Sequence, residues 1–270
     1  ALTKVDGFLD CFPKILAANL DFPVRPVRSC SLTLRDLETV RANPSEFRSI
    51  NIARVLDRPE NFEPLVEEMD KASGQAEAII IPACLGLKDP GRTGMLVRRL
   101  GREICLIPTL PPSLVGSRIT RLLARLFIDK GGVLMPGDKA TGFDLAPGPG
   151  PVRVRRLFTA NHEETPLEAG HYILASGRFS SKGLLADQHD IWEPVFHLDL
   201  VAIPPGREQW TVNGVFEAQP YASFGVATDA SMRGYLAGTP LGNLRVAGMV
   251  IGNYDAVRLG CGAGVALVTG

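Results

Sequence analysis

Apolar side chains recur along this chain with two distinct periods. Over Pro59 to Ser73, Phe62, Leu65, Val66 and Met69 follow the i, i+3, i+4, i+7 rule for one helical face, and Gly74 supplies a C-terminal stop. Asn43-Pro44-Ser45-Glu46 predicts a helix start with Pro44 in the first turn, leading into Phe47, Ile50, Val55 and Leu56. From Leu114 to Lys130, Ile119, Leu122, Leu123, Leu126 and Phe127 form one apolar stripe. Arg118, Arg121 and Arg125 lie beside it, with Asp129 following Arg125 by one helical turn. Those arginines read either as a solvated face or as a row facing phosphate.

The other pattern is the short continuous apolar run. Ala78-Ile79-Ile80-Ile81 closes at Pro82, and Ile104-Cys105-Leu106-Ile107 closes at Pro108. Such tetrads suit strands of a parallel sheet buried on both faces, and Lys88 to Leu100 is long enough for the crossover helix between them. The loops at Pro82–Gly86 and Pro108–Ser113 then sit at strand carboxyl ends, where open α/β sheets bind ligands.

Beyond Gly131-Gly132 the texture changes. Val133-Leu134-Met135 reads as a strand, and the Pro/Gly tract Ala146–Pro151 as a hairpin tip. Val152-Arg153-Val154-Arg155 alternates as a half-buried antiparallel strand does, and Tyr172 to Gly177 is a buried strand ending in a small-residue turn. Leu244–Val246 runs into Ala247-Gly248, and Gly260-Cys261-Gly262-Ala263-Gly264 precedes the apolar run Val265–Val268. Glycines there allow either close approach of a flat or anionic ligand or a tight helix–strand contact. No G-x-G-x-x-G fingerprint occurs anywhere. The predicted class is α/β, a parallel-sheet segment with crossover helices plus an antiparallel hairpin. The domains are expected at residues 1–130 and 131–270.

Composition narrows the chemistry. The 270 residues carry 29 Lys+Arg against 29 Asp+Glu, which removes the net attraction that non-specific nucleic-acid binding relies on. An apolar fraction of 45% with 21% charge excludes a disordered chain, and no run of ~20 apolar residues spans a bilayer. Five scattered cysteines with no Cys-x-x-Cys pair argue for reduced thiols in a cytoplasmic protein. No signal-peptide pattern stands at the start, and an opening Ala1 inside a structured-looking stretch suggests a fragment. His162 sits in a polar Asn-His turn and is the best histidine for proton transfer, while His171, His189 and His197 make no metal spacing with it. A Gly-x-Ser-x-Gly elbow is missing, which excludes the serine-hydrolase pattern.

Several motifs, in order, resemble the B-subunit family of anaerobic glycerol-3-phosphate dehydrogenase. They are Asn43–Arg54, Ile81–Leu87, Ile107–Ser113, Met135–Asp138, Asn161-His162, Ile173–Gly177, Phe224–Asp229 and Gly260–Val265. The resemblance covers essentially the whole chain; more loosely, it extends to two-domain flavoproteins of the fumarate reductase type. It implies part of a flavin-binding Rossmann-like fold in 131–270 and an insertion or substrate domain in 1–130. The family opens with a strand–glycine loop–helix unit for nucleotide phosphates, which this sequence lacks. The chain is therefore expected to be the family's middle and carboxyl-terminal part, with flavin affinity weakened or lost.

The implied activity is oxidation of glycerol 3-phosphate to dihydroxyacetone phosphate, with electrons passed through a flavin (FMN or FAD) towards quinone. Implied partners are the catalytic A-subunit and the iron–sulfur C-subunit of the same dehydrogenase, with the protein cytoplasmic or peripheral at the inner membrane through a partner. Under this resemblance Ser176, Gly177, Gly248, Asp255, Gly262 and Gly264 are cofactor candidates, and His162 the proton-transfer candidate. Arg48, Arg54, Thr109 and Ser113 are the candidates for the substrate phosphate. On one helix, Arg48 and Arg54 diverge by roughly 120°. The alternative reading is a non-catalytic electron-transfer or docking subunit of the same complex.

Overall fold

A computed structural model describes residues 2–3, 29–30, 32–43, 48–109, 112–162, 164–214 and 217–270. The chain divides into two compact units, Ala1–Leu134 and Met135–Gly270.

The first unit is built on a four-stranded parallel sheet ordered β2-β1-β3-β4, from β1 (Leu2–Thr3), β2 (Ser29–Cys30), β3 (Ala78–Pro82) and β4 (Glu103–Ile107). Strands β3 and β4 pair from Ala78↔Glu103 to Pro82↔Ile107, joined through α4 (Arg92–Leu100), as the paired apolar tetrads predict. They are not buried on both faces: Ile79 and Ile81 are buried, but Glu103 and Cys105 on β4 are exposed. Among the described residues β4 ends the sheet, and Ile79 and Ile81 face the helical core.

Helices α1 (Arg35–Arg41), α2 (Ser49–Leu56), α3 (Phe62–Ser73) and α4 supply that cover. Leu37, Ile52, Val55, Leu65, Met69 and Leu96 meet Ile79 and Ile81 in one core. The predicted stop at Gly74 is observed, with φ 56°. Helix α2 begins at Ser49; the predicted start at Pro44–Phe47 lies outside the described residues. Asp57 at the α2 C-terminus accepts from the N–H groups of Gly86 (2.8 Å) and Lys88 (3.1 Å), pinning the loop that follows β3. Arg92 donates to the carbonyls of Leu56 and Arg58 while its guanidinium lies 4.4 Å from the Phe62 ring centroid.

The long helix α5 runs from Leu114 to Asp129, as its periodicity predicts, but its stripe does not face a core. Leu114 alone is buried, and Ile119, Leu122, Leu123, Leu126 and Phe127 are all exposed. Residues 133–135 form no strand; after Gly132 the chain is irregular up to β5.

The second unit contains the predicted hairpin, β5 (Ala140–Leu145) against β6 (Val154–Thr159), whose tip is the Pro/Gly tract, with β7 (Leu167–Glu168) added to β6. Strand β8 (Tyr172–Leu174) lies parallel to β14 (Thr239–Val246), which pairs antiparallel with β13 (Arg233–Leu236). Two short antiparallel pairs accompany them: β9 (Leu185–Ala186) with β10 (Ile191–Trp192), and β11 (Leu200–Val201) with β12 (Gly225–Val226). The chain closes with α6 (Gly262–Thr269). Tyr172, Leu174, Leu241, Leu244 and Val246 form the core with Phe196 and Val226. Buried Asn243 behaves like a strand residue turned sideways. Its Oδ1 accepts from Val154 N and its Nδ2 donates to Val154 O, each at 2.8 Å, which ties the hairpin to β14.

Truncating a fully buried leucine leaves a cavity, so Leu65→Ala or Leu244→Ala is expected to cost about 2–5 kcal/mol in chemical denaturation. Leu122→Ala, on the exposed stripe, is expected to change stability by less than about 0.5 kcal/mol in the same measurement.

Candidate functional site

The strongest polar feature of the second unit is a buried cation. Arg178 follows the Ser176-Gly177 turn at the end of β8 and is almost wholly buried. Its guanidinium has no carboxylate partner among the described residues. Instead it donates to four backbone carbonyls: Met249 O (2.6 Å), Ile251 O (2.7 Å), Tyr254 O (2.9 Å) and Ala222 O. It also stacks on the Tyr254 ring, 4.7 Å from the centroid. Burial pushes the guanidinium below its usual pKa, with Tyr254, Asp255 and Cys261 pulling the other way. Burial likewise raises the Tyr254 phenol, opposed by Arg178.

That clamp assembles the cofactor candidates. Ala247 N donates to Leu174 O at 2.9 Å, setting the end of β14 beside the end of β8. Gly248 adopts φ +72°, its N–H donates to Thr269 Oγ1 in α6 (2.8 Å), and its carbonyl accepts from the Tyr254 hydroxyl (3.1 Å). Gly177 adopts φ +71°, and a Cβ there would overlap Ser181 Oγ. Both positions therefore require glycine. A Cβ on Gly248 would make ordinary van der Waals contact with Ala266 at 3.8 Å, so it is the backbone conformation and not crowding that favours glycine there.

The carboxylate of Asp255 is engaged locally: Oδ1 accepts from the N–H groups of Val257 and Arg258, each at 3.0 Å, capping the turn that leads to Cys261. Gly262 and Gly264 form the first turn of α6, where no side chain caps the helix. Gly262 packs under Met249, whose Sδ would stand 3.1 Å from an added Cβ, while Gly264 faces open space. Ser176 is the exception in this polar network. Its carbonyl accepts from Ser181 Oγ (2.7 Å), but its own Oγ is buried without a hydrogen-bond partner. A buried hydroxyl lacking a partner is costly, and a ligand that bonds to it recovers that cost. An orphaned hydroxyl and an uncapped helix start whose Gly264 faces open space fit the edge of a planar, carbonyl-bearing cofactor.

His162 lies at the open end of the hairpin. Its Nδ1 is 2.9 Å from Asp138 Oδ2, with the Asp138 side chain 6% exposed and the histidine 50% exposed. Burial raises the Asp138 pKa, but bonds from Thr159, Asn161 N, His162 and Lys139 N outweigh it and hold it at about 2. Among the described residues no hydrogen bond joins this pair to the Ser176–Gly248 cluster.

The substrate candidates belong to the first unit. Arg48 precedes α2 in extended conformation and is exposed. Thr109 Oγ1 donates to Ser49 Oγ at 3.0 Å, joining the loop after β4 to the start of α2. Ser113 caps α5, accepting from Gly116 N at 3.1 Å, and Leu114 then packs on Ala53 of α2. The starts of α2 and α5 thus meet at the strand carboxyl ends. Arg54 points elsewhere, one turn from the α2 C-terminus, donating to Asn51 Oδ1 at 2.8 Å. Arg178 carries no sequence signature of its role, because its four acceptors lie 44 to 76 residues away. The one local hint is an arginine directly after a buried strand and its turn.

By sequence the chain falls in the flavin-binding class. A family model described as an FAD binding domain matches residues 2–265, and the chain belongs to that family. It is 42% identical over 269 residues to the B-subunit of the anaerobic glycerol-3-phosphate dehydrogenase of Yersinia enterocolitica, covering 100% of this chain and 62% of that protein. The corresponding protein of Pectobacterium carotovorum is 43% identical over 268 residues, 99% of this chain and 62% of the relative. That of Glaesserella parasuis is 38% identical over 277 residues, 100% of this chain and 64% of the relative. The chain thus spans less than two thirds of the length of the curated relatives it matches. No solved structure matches. Among the described residues there is no group of side chains suited to a metal ion, and no helix is long and apolar enough to cross a membrane.

Two outcomes follow from these geometries. Arg178→Gln leaves buried carbonyls unpaired, and is expected to lower stability by roughly 3 kcal/mol in urea denaturation. Asp138 has a folded pKa below its ordinary 3.8, so its contribution is present in full above that value and is lost as pH falls towards about 2. The stability gap between the protein and Asp138→Asn should therefore be widest near neutrality and close as the pH approaches 2, read by thermal melts across pH.

Proposed function

We propose that this chain is the cofactor-facing and substrate-side portion of a flavin-dependent dehydrogenase subunit. Its reaction is oxidation of glycerol 3-phosphate to dihydroxyacetone phosphate, with electrons passed towards quinone. One observation carries the reading: the unpartnered Ser176 Oγ beside a glycine turn that Arg178 locks in place. Ser176, Gly177, Gly248, Asp255, Gly262 and Gly264 would hold FMN or FAD, which when bound supplies the acceptor for the hydride of the alcohol carbon. The donors this chain offers are the Ser176 hydroxyl and the uncapped N–H groups that open α6.

His162 takes the hydroxyl proton at Nε2, because Asp138 occupies Nδ1 and orients the ring. Arg48, the residue before α2, and Thr109, bonded to Ser49 in the first turn of that helix, bind the substrate phosphate. Arg54, bonded to Asn51, and Ser113, serving as a cap, contribute less to it. Residues 1–130 act as the insertion or substrate domain and 131–270 as the partial flavin-binding domain. The partners are the catalytic A-subunit and the iron–sulfur C-subunit, and the protein is cytoplasmic or held at the inner membrane through one of them.

The local engagement of Arg54 and Ser113 favours a second reading, in which this protein passes electrons or docks partners and leaves the alcohol oxidation to the catalytic A-subunit. Reduction of the flavin-loaded full-length protein separates the two. Bleaching by glycerol 3-phosphate alone supports the dehydrogenase; bleaching only after the A-subunit is added supports the relay.

Ser176→Ala in the full-length protein is expected to weaken flavin binding roughly fivefold to tenfold, the worth of one hydrogen bond, in a fluorescence titration. Unaltered affinity removes Ser176 from the site. Arg48→Ala in the assembled complex should raise KM for glycerol 3-phosphate with kcat little changed. The isolated 270-residue chain is expected to turn over little with an artificial acceptor.

A further inference from the structure

Two arginines of the second unit are neutralised by carboxylates: Arg156 meets Glu168 at 2.7 Å, and Arg233 meets Asp229 at 2.6 Å. Arg178 is held differently. It is 7% exposed, and four of its five N–H groups are spent on the carbonyls of Met249, Ile251, Tyr254 and Ala222. Carbonyls are dipoles, so they satisfy the N–H groups and leave the unit charge in place. The titratable groups that act on it are Tyr254, Asp255 and Cys261. Asp255 is the one carboxylate among them, and its Oδ1 accepts from Val257 N and Arg258 N rather than from the guanidinium. A buried cation with no carboxylate bonded to it among the described residues acts on whatever binds beside it.

We infer, on the footing of the flavin reading above, that Arg178 sets the reduction potential of the flavin: its charge stabilises the reduced ring more than the oxidised one. Taking a hydride from an alcohol carbon adds two electrons and one proton to the ring, so the ring gains one unit of negative charge. The alcohol carbon becomes a carbonyl, and its hydroxyl proton leaves to a base. A cation close by in a medium of low polarity favours the change on the ring and raises its potential. Closeness follows from the chain itself. Arg178 stands two residues from Ser176, whose orphaned Oγ is the proposed cofactor contact, so their Cα atoms are at most about 7 Å apart. It also grips the carbonyl of Met249, the residue after Gly248. The uncapped start of α6 offers only about half a positive charge, whereas Arg178 supplies a whole one. Every group involved belongs to the second unit.

Potentiometric titration of the full-length protein loaded with FAD tests this, with Arg178→Gln and Arg178→Lys beside it. Arg178→Gln is expected to weaken binding of reduced FAD at least tenfold more than binding of oxidised FAD, which lowers the two-electron potential by about 30 mV or more. Arg178→Lys keeps the charge and gives up the fork, so its potential should move by less than half that shift although its unfolding midpoint falls. Equal loss of affinity for the two redox forms in Arg178→Gln leaves the potential unmoved, makes Arg178 a clamp alone and overturns the inference. So does a potential that drops as far in Arg178→Lys as in Arg178→Gln. A second measurement needs no variant to fold. In the unsubstituted protein the slope of the potential against pH should fall from about 59 to about 30 mV per unit, the change from two protons to one per electron pair. That break is expected at a lower pH than for free FAD titrated alongside; a break at the same pH or higher overturns the inference. Failure of the full-length protein to bind FAD defeats the flavin reading and this inference with it, whereas bound FAD whose potential ignores Arg178 defeats this inference alone.

Discussion

A guanidinium removed from water must find acceptors for its N–H groups, and Arg178 finds them in backbone carbonyls. That demand organises the second unit. Four carbonyls from two loops converge on one side chain, Tyr254 stacks on it, and the Tyr254 hydroxyl reaches Gly248, whose N–H is taken by Thr269. The end of β8, the end of β14 and the last residue of α6 are thereby linked through a single charge. Of the candidate cofactor residues, Ser176, Gly177 and Gly248 stand on the first two of those segments, and Asp255 directly follows Tyr254. Their geometry is thus set by a residue whose own role is to position them.

The same logic applies to other polar side chains that are buried or partly buried. Glu193 accepts from the N–H groups of Val195 and Phe196 at 2.8 and 2.7 Å, and Asp199 from those of Ala237 and Gly238 at 3.1 and 2.7 Å. Asn243 pairs with Val154, and Asp138 gathers four donors. Each substitutes for a strand ladder where the short strands leave backbone groups unpaired. Against that background, only Arg92 Nε and Ser176 Oγ lack a partner among the described buried side-chain atoms. The Arg92 guanidinium lies over the Phe62 ring, which accounts for it. Ser176 has no such compensation, and it stands at a strand carboxyl end next to a glycine turn. This contrast, rather than the abundance of glycine, singles out the cluster.

Much of the architecture was legible in the residues. The apolar tetrads before Pro82 and Pro108 form adjacent parallel strands, the Pro/Gly tract at 146–151 is a hairpin tip, and the strand ending at Leu174 leads into a turn. Parts of the candidate site could also be read, because glycine at positive φ and a histidine beside a hairpin leave local marks. Other expectations failed for identifiable reasons. Val133-Leu134-Met135 has strand composition but no strand to pair with among the described residues. Strand β4 has the composition of a doubly buried strand, yet among the described strands it ends the sheet, and Glu103 and Cys105 are exposed.

The sequence by itself determined the helices at 62–73 and 114–129, the paired strands before Pro82 and Pro108 and the hairpin turn at 146–151, because those choices follow from contacts within a few residues. It also marked the small-residue loops where a ligand can approach backbone. Only the tertiary structure decided that Arg178 spans more than forty residues to hold those loops, that Arg54 serves Asn51 while Thr109 meets Ser49, and that the stripe on α5 faces outward. Periodicity states that a face is apolar, whereas what lies against it depends on segments remote along the chain, and no local pattern encodes their arrival.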